Sequence, residues 1–191
     1  ISGNLTEYER YEMANKINQK FVDIVRSTGG NNAYRHLLIA GYDTNIDKTC
    51  DDKFKMPTDT AENGTTKLSI SVHYYTPWDF CGDGGSGIYT QKDKEATETY
   101  FTKMDKFYNA GYGIIMGEFS VCNPKQEGVA QWLNDTMTIA AKHHILPVLW
   151  ETNQYMDKDN CKMRYNDIAV LYNTITGSTG DTSSKINTNG T

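Results

Sequence analysis

The stretch GYGIIMGEFSVC, residues 111–122, runs through apolar and glycine positions from Tyr112 to Gly117 and then presents one carboxylate, Glu118. Three other segments share this apolar character, at 36–42, 68–75 and 145–153. Nearly continuous apolar runs of this length predict parallel strands that are covered on both faces. Active sites of parallel α/β sheets collect at the carboxyl ends of the strands, so the position of Glu118 indicates a functional residue.

Helical patterns alternate with these strands, at 7–27, 92–109, 126–143 and 165–176. The segment 43–66 predicts a long loop with at most one turn of helix. In the first helix, apolar residues recur at helical spacing and form one stripe, and Gly29 and Gly30 predict its end. The members of this stripe are Met13, Ala14, Ile17, Phe21, Ile24 and Val25. The alternation predicts an α/β fold of parallel strands joined by crossovers.

The spacing of the strand ends indicates how much of a barrel the chain can form. Tyr42, His73, Glu118 and Trp150 follow one another at intervals of 31, 45 and 32 residues. A complete eightfold (β/α) barrel needs about 250 residues. The 191 residues of this chain therefore fit four units with one long insertion. Residues 178–191 are small and polar, which predicts a flexible tail or linker after a globular part at 1–177.

Composition excludes several classes of protein. Hydrophobic residues make up 38% and charged residues 23%, which argues against a disordered or a membrane protein. The formal net charge is -5 without a basic block, so neither nucleic acid nor an anionic membrane is an expected partner. No apolar run is long enough to span a bilayer. The chain starts at Ile1 rather than Met, which we interpret as a processed or excised piece.

The four cysteines lack the spacing of a metal site. They are Cys50, Cys81, Cys122 and Cys161. We interpret them as one or two disulfides of a secreted, extracellular protein, with free structural thiols as the alternative. The loop after the first strand contains several acids, for which a solvated loop is favoured over a calcium site. These acids are Asp43, Asp47, Asp51 and Asp52.

Three strand ends present polar or aromatic residues, in VHYYTPW, GEFS and LWETN. Singly, His73 would be a satisfied structural residue, Glu118 a surface acid and Trp150 a core residue. At equivalent ends of successive strands they match the needs of a glycosidase subsite. The carboxylate attacks the anomeric carbon or stabilises its charge, and Tyr and His hold the carboxylate ionised and oriented. The indole packs against the apolar face of a sugar ring.

These strings together resemble a known family. KLSISVHYYTPWDFC, YGIIMGEFSV and ILPVLWETN, preceded by FVDIVRSTGGNNAYRHLLIAGY, are similar to the C-terminal half of glycoside hydrolase family 5. The similarity is to its endoglucanase and xyloglucanase branch from gut and rumen microbes. The resemblance implies strands five to eight of a (β/α)8 TIM barrel. It also implies a retaining, endo-acting hydrolase of cellulose-type β-1,4-glucan, with xylan or xyloglucan as further substrates.

The resemblance assigns roles to individual residues. Glu118, in the Gly-Glu-Phe motif, matches the catalytic nucleophile of the family. Tyr75 would hydrogen-bond its carboxylate, and His73 would contact the sugar or the acid/base. Trp150 matches the aromatic platform under the sugar at the cleavage point.

Two further substrate contacts are implied with less support, Trp78 and Asn153. For Trp78, packing on the rim of the barrel is an equal alternative. The glycosidase mechanism requires no metal or organic cofactor, so none is expected.

One part of the family pattern has no counterpart in the sequence. Family members carry an Asn-Glu pair at the fourth strand, whose Glu is the general acid/base. Glu7, Glu9 and Glu12 are interpreted as solvated or capping residues. Glu151 adjoins Trp150, and successive strand residues face opposite sides, so it is a poor substitute.

The missing acid/base defines what partner the chain is expected to have. We expect it to be inactive alone and to need the N-terminal half of the same barrel, or a second copy of itself. The alternative is a non-catalytic, carbohydrate-binding half-barrel. An esterase is disfavoured because no GxSxG motif is present.

Overall fold

The computed structural model describes residues 4–151 and 153–176, so the predicted tail at 178–191 lies outside the described residues. Four strands form one parallel sheet in the order β1-β2-β3-β4. They are β1 (Leu37–Ala40), β2 (Leu68–Tyr74), β3 (Gly113–Phe119) and β4 (Ile145–Leu149). Chain order and sheet order agree, and helices separate the strands, which confirms the predicted α/β class.

The helices lie before, between and after the strands. They are α1 (Glu7–Ser27), α2 (Ile46–Cys50), α3 (Trp78–Cys81), α4 (Gln91–Thr102), α5 (Asp105–Asn109), α6 (Val129–Lys142) and α7 (Asn166–Thr176). Two short strands after the sheet pair as an antiparallel ribbon, β5 (Met156–Asp157) and β6 (Lys162–Met163). Within the described ranges, no helix has the length and apolar character needed to cross a bilayer.

The first helix begins where its sequence predicts. Thr6 caps α1, because its hydroxyl accepts the N–H of Glu9 at 3.3 Å. The Glu9 carboxylate accepts the N–H of Thr6 at 2.7 Å in return. This reciprocal capping box satisfies two backbone donors that the helix itself leaves open. Glu9 is therefore a capping residue, one of the two interpretations offered for it.

Two predicted boundaries are wrong in detail. The helix predicted at 92–109 is two helices, α4 and α5. The N–H groups of Lys103 and Met104 bond three residues back, to Tyr100 and Phe101, which tightens the chain between α4 and α5. The strand predicted at 145–153 ends at Leu149. The loop 43–66 contains only the short helices at its start, as expected.

Helices cover one face of the sheet in the described part of the chain, not both faces as the apolar runs predicted. Alternate residues of β2 and β3 are buried in the core shared with α4 and α6. These residues are Ile70, Val72, Tyr74, Ile114, Met116 and Phe119, while Leu68 packs with Val22 of α1 and with Leu37 and Ile39 of β1. The opposite face is open, and Leu38, Leu146 and Val148 on it are 45–60% exposed. The apolar runs arise because this open face is also largely apolar.

Most of the apolar stripe of α1 faces outward, while Val25 packs against the cluster formed by Val22, Leu37, Ile39 and Leu68. Met13, Ile17, Phe21 and Ile24 are 40–52% exposed. The helix instead buries other residues, Tyr11, Val22 and Arg26. The helical prediction for 7–27 is confirmed, but the face that packs on β1 is narrower than the apolar stripe.

A buried ion pair fixes the end of α1. Arg26 donates from Nε and Nη2 to the two carboxylate oxygens of Asp59, at 2.9 and 2.8 Å. Their side chains are 3% and 0% exposed. Asp59 also accepts from the N–H of Ala61 and the amide of Asn63. The pair joins α1 to the long loop between β1 and β2.

The four cysteines are free thiols, so the disulfide interpretation is not supported. Cys50 lies 3.6 Å from the sulfur of Met104, and Cys161 is exposed beside the β5–β6 ribbon. Cys81 is buried at the end of α3, where its carbonyl accepts the N–H of Cys122 at 2.9 Å. Burial raises the pKa of the Cys81 thiol, which keeps it protonated and unreactive.

Candidate active site

The predicted site residues meet at the carboxyl edge of the sheet. Glu118 lies near the end of β3, and His73 lies directly opposite it on β2. Tyr75 follows β2 by one residue. Trp150 follows β4, and its N–H donates to the carbonyl of Phe119 at 3.0 Å, which extends the strand pairing by one bond. Neighbouring parallel strands therefore bring four of the six predicted residues to one edge.

A β-bulge sets the direction of Glu118. On β2, consecutive residues lie opposite Met116 and Glu118, so the register skips Gly117. The register with β4 also shifts between Met116 and Phe119. One extra residue against both neighbours is a bulge, which redirects the side chains beyond it. Glu118 thus faces the open side of the sheet, while Phe119 is fully buried against Trp132 of α6.

Two side chains hold one oxygen of the Glu118 carboxylate. The hydroxyl of Tyr75 donates to Oε2 at 3.2 Å. His73 Nδ1 lies 3.3 Å from the same oxygen. Among the described residues, no group donates a hydrogen bond to Oε1. The Glu118 side chain is 27% exposed, so it is accessible from the open face. One oxygen is held in place, and the other is available to a ligand.

Tyr75 is fixed as a hydrogen-bond donor. Burial, and then the neighbouring charge of Glu118, raise the pKa of its phenol well above the ordinary value of 10.0. The phenol therefore keeps its proton at neutral and moderately alkaline pH. Tyr75 therefore acts toward the Glu118 carboxylate as a neutral hydrogen-bond donor.

Exposed aromatic side chains lie beside this carboxylate. Trp150 is 43% exposed, on the same face of the sheet as Leu146 and Val148. Trp78, on α3, is 66% exposed, and its ring meets that of Tyr75 edge-on at 6.3 Å between centroids. An exposed indole offers a flat apolar face and one N–H donor, which suits stacking against a ligand ring.

Asn153 and Glu151 are engaged away from Glu118. The backbone carbonyl and the side-chain oxygen of Asn153 accept from Arg164, at 3.1 and 2.7 Å. The carboxylate of Glu151 accepts the N–H groups of Tyr155 and Met156, at 2.7 and 2.9 Å. Glu151 therefore caps the loop after β4 and does not pair with Glu118, as the alternation of strand residues predicted.

Carboxylates of the acidic loop after β1 form ion pairs with lysines. Asp43 pairs with Lys48 at 2.6 Å, and Asp51 pairs with Lys53 at 2.8 Å. Asp47 pairs with Lys103. Within the described residues, no group of three or more His, Cys, Asp or Glu side chains is arranged to hold a metal ion.

Comparison with known proteins places the chain beside glucan hydrolases. The family model for cellulase (glycosyl hydrolase family 5) matches residues 3–156. Endoglucanase A of Paenibacillus barcinonensis is 36% identical over an alignment of 168 positions, and the match covers 74% of this chain and 42% of that protein.

Solved structures agree with this match. A GH5-4 broad specificity endoglucanase from an uncultured bovine rumen ciliate is 29% identical with a TM-score of 0.78, over 93% of this chain and 57% of that one. A glycoside hydrolase 5 lichenase from Caldicellulosiruptor sp. F32, in complex with cellotetraose, is 26% identical with a TM-score of 0.76. That match covers 90% of this chain and 51% of the lichenase. The chain spans about half the length of the proteins it matches.

Proposed function

The chain belongs to glycosyl hydrolase family 5, and we propose that it supplies the nucleophile half of a retaining hydrolase that cleaves β-1,4-glucan internally. Its four parallel strands are the C-terminal half, strands five to eight, of a (β/α)8 barrel. The observation that carries the proposal is Glu118, held by Tyr75 at the strand end. Cellulose-type glucan is the proposed substrate because a similar lichenase structure holds cellotetraose. Xylan and xyloglucan are further candidates.

The proposed chemistry uses the two oxygens of Glu118 differently. Oε1 attacks the anomeric carbon, and the bond from that carbon to the glycosidic oxygen breaks. The leaving oxygen takes a proton from a second carboxylic acid, and water later releases the sugar from Glu118. Tyr75 and His73 keep Oε2 in place during both steps. Trp150 provides the flat surface under the sugar ring, and Trp78 extends it.

We infer that the second acid comes from the other half of the barrel. A retaining pair needs two carboxyl groups about 5 to 5.5 Å apart. Glu151 is committed to its loop, and Glu9 to its capping box. Within the described residues, Glu118 has no carboxyl group among its contacts.

The surface of the chain has the features of a half-barrel that receives its complement. The α1 stripe (Met13, Ile17, Phe21 and Ile24) and the open sheet face are both apolar and exposed. Exposed apolar patches of this extent are typical of interfaces, and the unpaired edges of β1 and β4 are ready to accept further strands. We take the N-terminal half of a family 5 barrel as the occupant, since the matched structures are about twice as long.

Size-exclusion chromatography with mass detection tests this partner. We expect the chain to form a one-to-one complex with a co-expressed N-terminal half taken from a relative such as Endoglucanase A of Paenibacillus barcinonensis. A stable homodimer that does not bind this N-terminal half would identify the partner as a second copy of the chain. A well-folded monomer of 21.6 kDa that binds neither would overturn the inference.

Glu118→Gln in the complemented barrel tests the catalytic role. We expect a fall in kcat of roughly three orders of magnitude or more, while cello-oligosaccharide binding is retained. An activated 2-deoxy-2-fluoro-cellobioside should label Glu118, as read by peptide mass. Glu127→Gln, the same change at an exposed acid of the loop after β3, is the control. Glucan binding by the wild type without release of reducing sugar would favour the non-catalytic alternative.

A further inference from the structure

The bulge in β3 has a glycine at its extra position, and backbone conformation does not explain this choice. Gly117 is absent from the residues with a left-handed φ, so its backbone is open to any L-residue. Space explains it instead. A Cβ on Gly117 would lie 2.8 Å from the hydroxyl oxygen of Ser71, and 3.9 Å from two ring atoms of His73. Carbon and oxygen do not approach to 2.8 Å without one of them moving.

Of the two residues nearest to a Cβ at position 117, His73 belongs to the proposed site and Ser71 does not. Ser71 and His73 project from β2 to the same face, two residues apart. His73 lies 3.3 Å from Glu118, which follows Gly117 directly. A side chain at position 117 would therefore displace Ser71 or His73, next to the nucleophile and at the bulge in β3.

From this packing we propose that Gly117 is a positioning residue for the reaction, because the lack of a Cβ at this position leaves the room beside Ser71 that the Glu118 carboxylate needs to keep its place. The inference rests on the proposed function. The inference adds a condition: the bulge holds Glu118 in place only if position 117 lacks a Cβ or position 71 lacks a hydroxyl. The two positions are thus coupled, and their coupling is measurable.

Gly117→Ala, Ser71→Ala and the double variant, all in the complemented barrel, form the test. Gly117→Ala should lower kcat by about 100-fold with little change in KM, since a shift of about 1 Å at a reacting group costs this much. Ser71→Ala alone should leave kcat close to that of the wild type. The double variant should recover most of the lost kcat, because the next nearest atoms to the new methyl group are 3.9 Å away.

A second pair on the same strands separates positioning from stability. A Cβ on Gly113 would lie 2.4 Å from the hydroxyl oxygen of Ser69, a similar clash at the far end of β3. Gly113→Ala should lower the melting temperature and leave kcat unchanged in the folded fraction. An equal loss of kcat from Gly113→Ala and Gly117→Ala, or no recovery in the double variant at 117 and 71, would overturn the proposal.

A crystal structure tests the positioning role even if the complemented barrel does not hydrolyse glucan. In the crystal structure of the Gly117→Ala barrel, the hydroxyl of Tyr75 should no longer reach Oε2 of Glu118, and the double variant should restore this hydrogen bond. An unchanged Tyr75–Glu118 distance in Gly117→Ala contradicts the positioning role, whether or not the wild type is active. A wild type without hydrolysis but with the expected displacement contradicts only the function.

Discussion

Tyr75 donates its phenolic hydrogen to Glu118 at 3.2 Å, across the ends of two neighbouring parallel strands. The phenol contributes only a donor, because its pKa is raised by burial and by the carboxylate it faces. This one contact connects the end of β2 with the proposed nucleophile on β3.

Tyr75→Phe removes this hydrogen-bond donor and keeps the aromatic ring. A hydrogen bond to a charged group contributes about 1.5–3 kcal/mol, so kcat in the complemented barrel should fall about 10- to 150-fold. KM should change little if the bond orients Glu118 rather than the sugar. Steady-state kinetics on carboxymethyl-cellulose measures both. Tyr108→Phe, on α5, is the matched control and should behave as the wild type; an unaffected Tyr75→Phe enzyme would remove Tyr75 from the mechanism.

Trp150→Ala and Trp78→Ala should weaken sugar binding to different degrees. If Trp150 forms the platform beside Glu118, its loss should raise the dissociation constant of cellotetraose about 10-fold, with Trp150→Phe in between. Trp78→Ala should have a smaller effect, measured by isothermal titration calorimetry of a barrel that also carries Glu118→Gln. Tyr34→Ala, at an exposed aromatic residue before β1, is the control. Equal affinity in all variants would assign both indoles to packing.

A charge on the outer face of α1 should prevent assembly without unfolding the helix. Ile17 is 52% exposed in this half-barrel, so Ile17→Glu costs little here but would bury a charge in the proposed interface. We expect the complex with the N-terminal half to be lost in size-exclusion chromatography, with circular dichroism unchanged. Lys16→Glu, one residue away, should assemble normally. Assembly of both variants would place the partner elsewhere.

Asp59→Asn should lower the free energy of unfolding by about 3–5 kcal/mol near neutral pH, because it leaves the buried Arg26 without a countercharge. The hydrogen bond from Arg26 lowers the pKa of Asp59 from 3.8 to about 2. A carboxyl group whose pKa is lowered by folding stabilises the folded protein fully at pH values above its pKa in the unfolded chain. This stabilisation is lost as the pH falls toward 2. Urea unfolding of the complemented barrel from pH 7 to 2 should therefore show a steeper acid loss for the wild type than for Asp59→Asn.

The surface pair Lys48–Asp43 gives the comparison for this experiment. Both side chains are about half exposed or more, so Asp43→Asn should change the free energy of unfolding by less than about 0.5 kcal/mol. Equal effects of the two substitutions would mean that the Arg26–Asp59 pair contributes no more than a surface ion pair.

Local patterns were sufficient to predict the strands and the placement of Glu118. A run such as residues 112–117 has no helical periodicity, and a carboxylate at its end is tolerated only where the strand meets solvent or a ligand. The contact of Tyr75 with Glu118 followed from the family resemblance rather than from any pattern. It needs the register of β2 and β3, which the sequence does not display.

Features that depend on neighbouring elements could not be predicted. The bulge at Gly117 is defined by the pairing of β3 with β2 and β4. In the sequence it is marked only by a glycine within an apolar run. The break between α4 and α5 lies at Lys103 and Met104, whose N–H groups bond three residues back, although the apolar spacing of this stretch fits one continuous helix. The apolar stripe of α1 gave the correct helix but not the direction of its packing, because an apolar residue on a helix can face a partner as well as the core of its own chain.

The buried Arg26–Asp59 pair has a kinetic consequence for the proposed assembly. It anchors the last turn of α1 within this chain, so the outward apolar stripe is presented by a helix that is already held in place. The N-terminal half would then meet a preformed surface rather than induce one. Recovery of activity on mixing the two halves should be second order in protein, and Asp59→Asn should add a slow first-order phase as α1 is reordered.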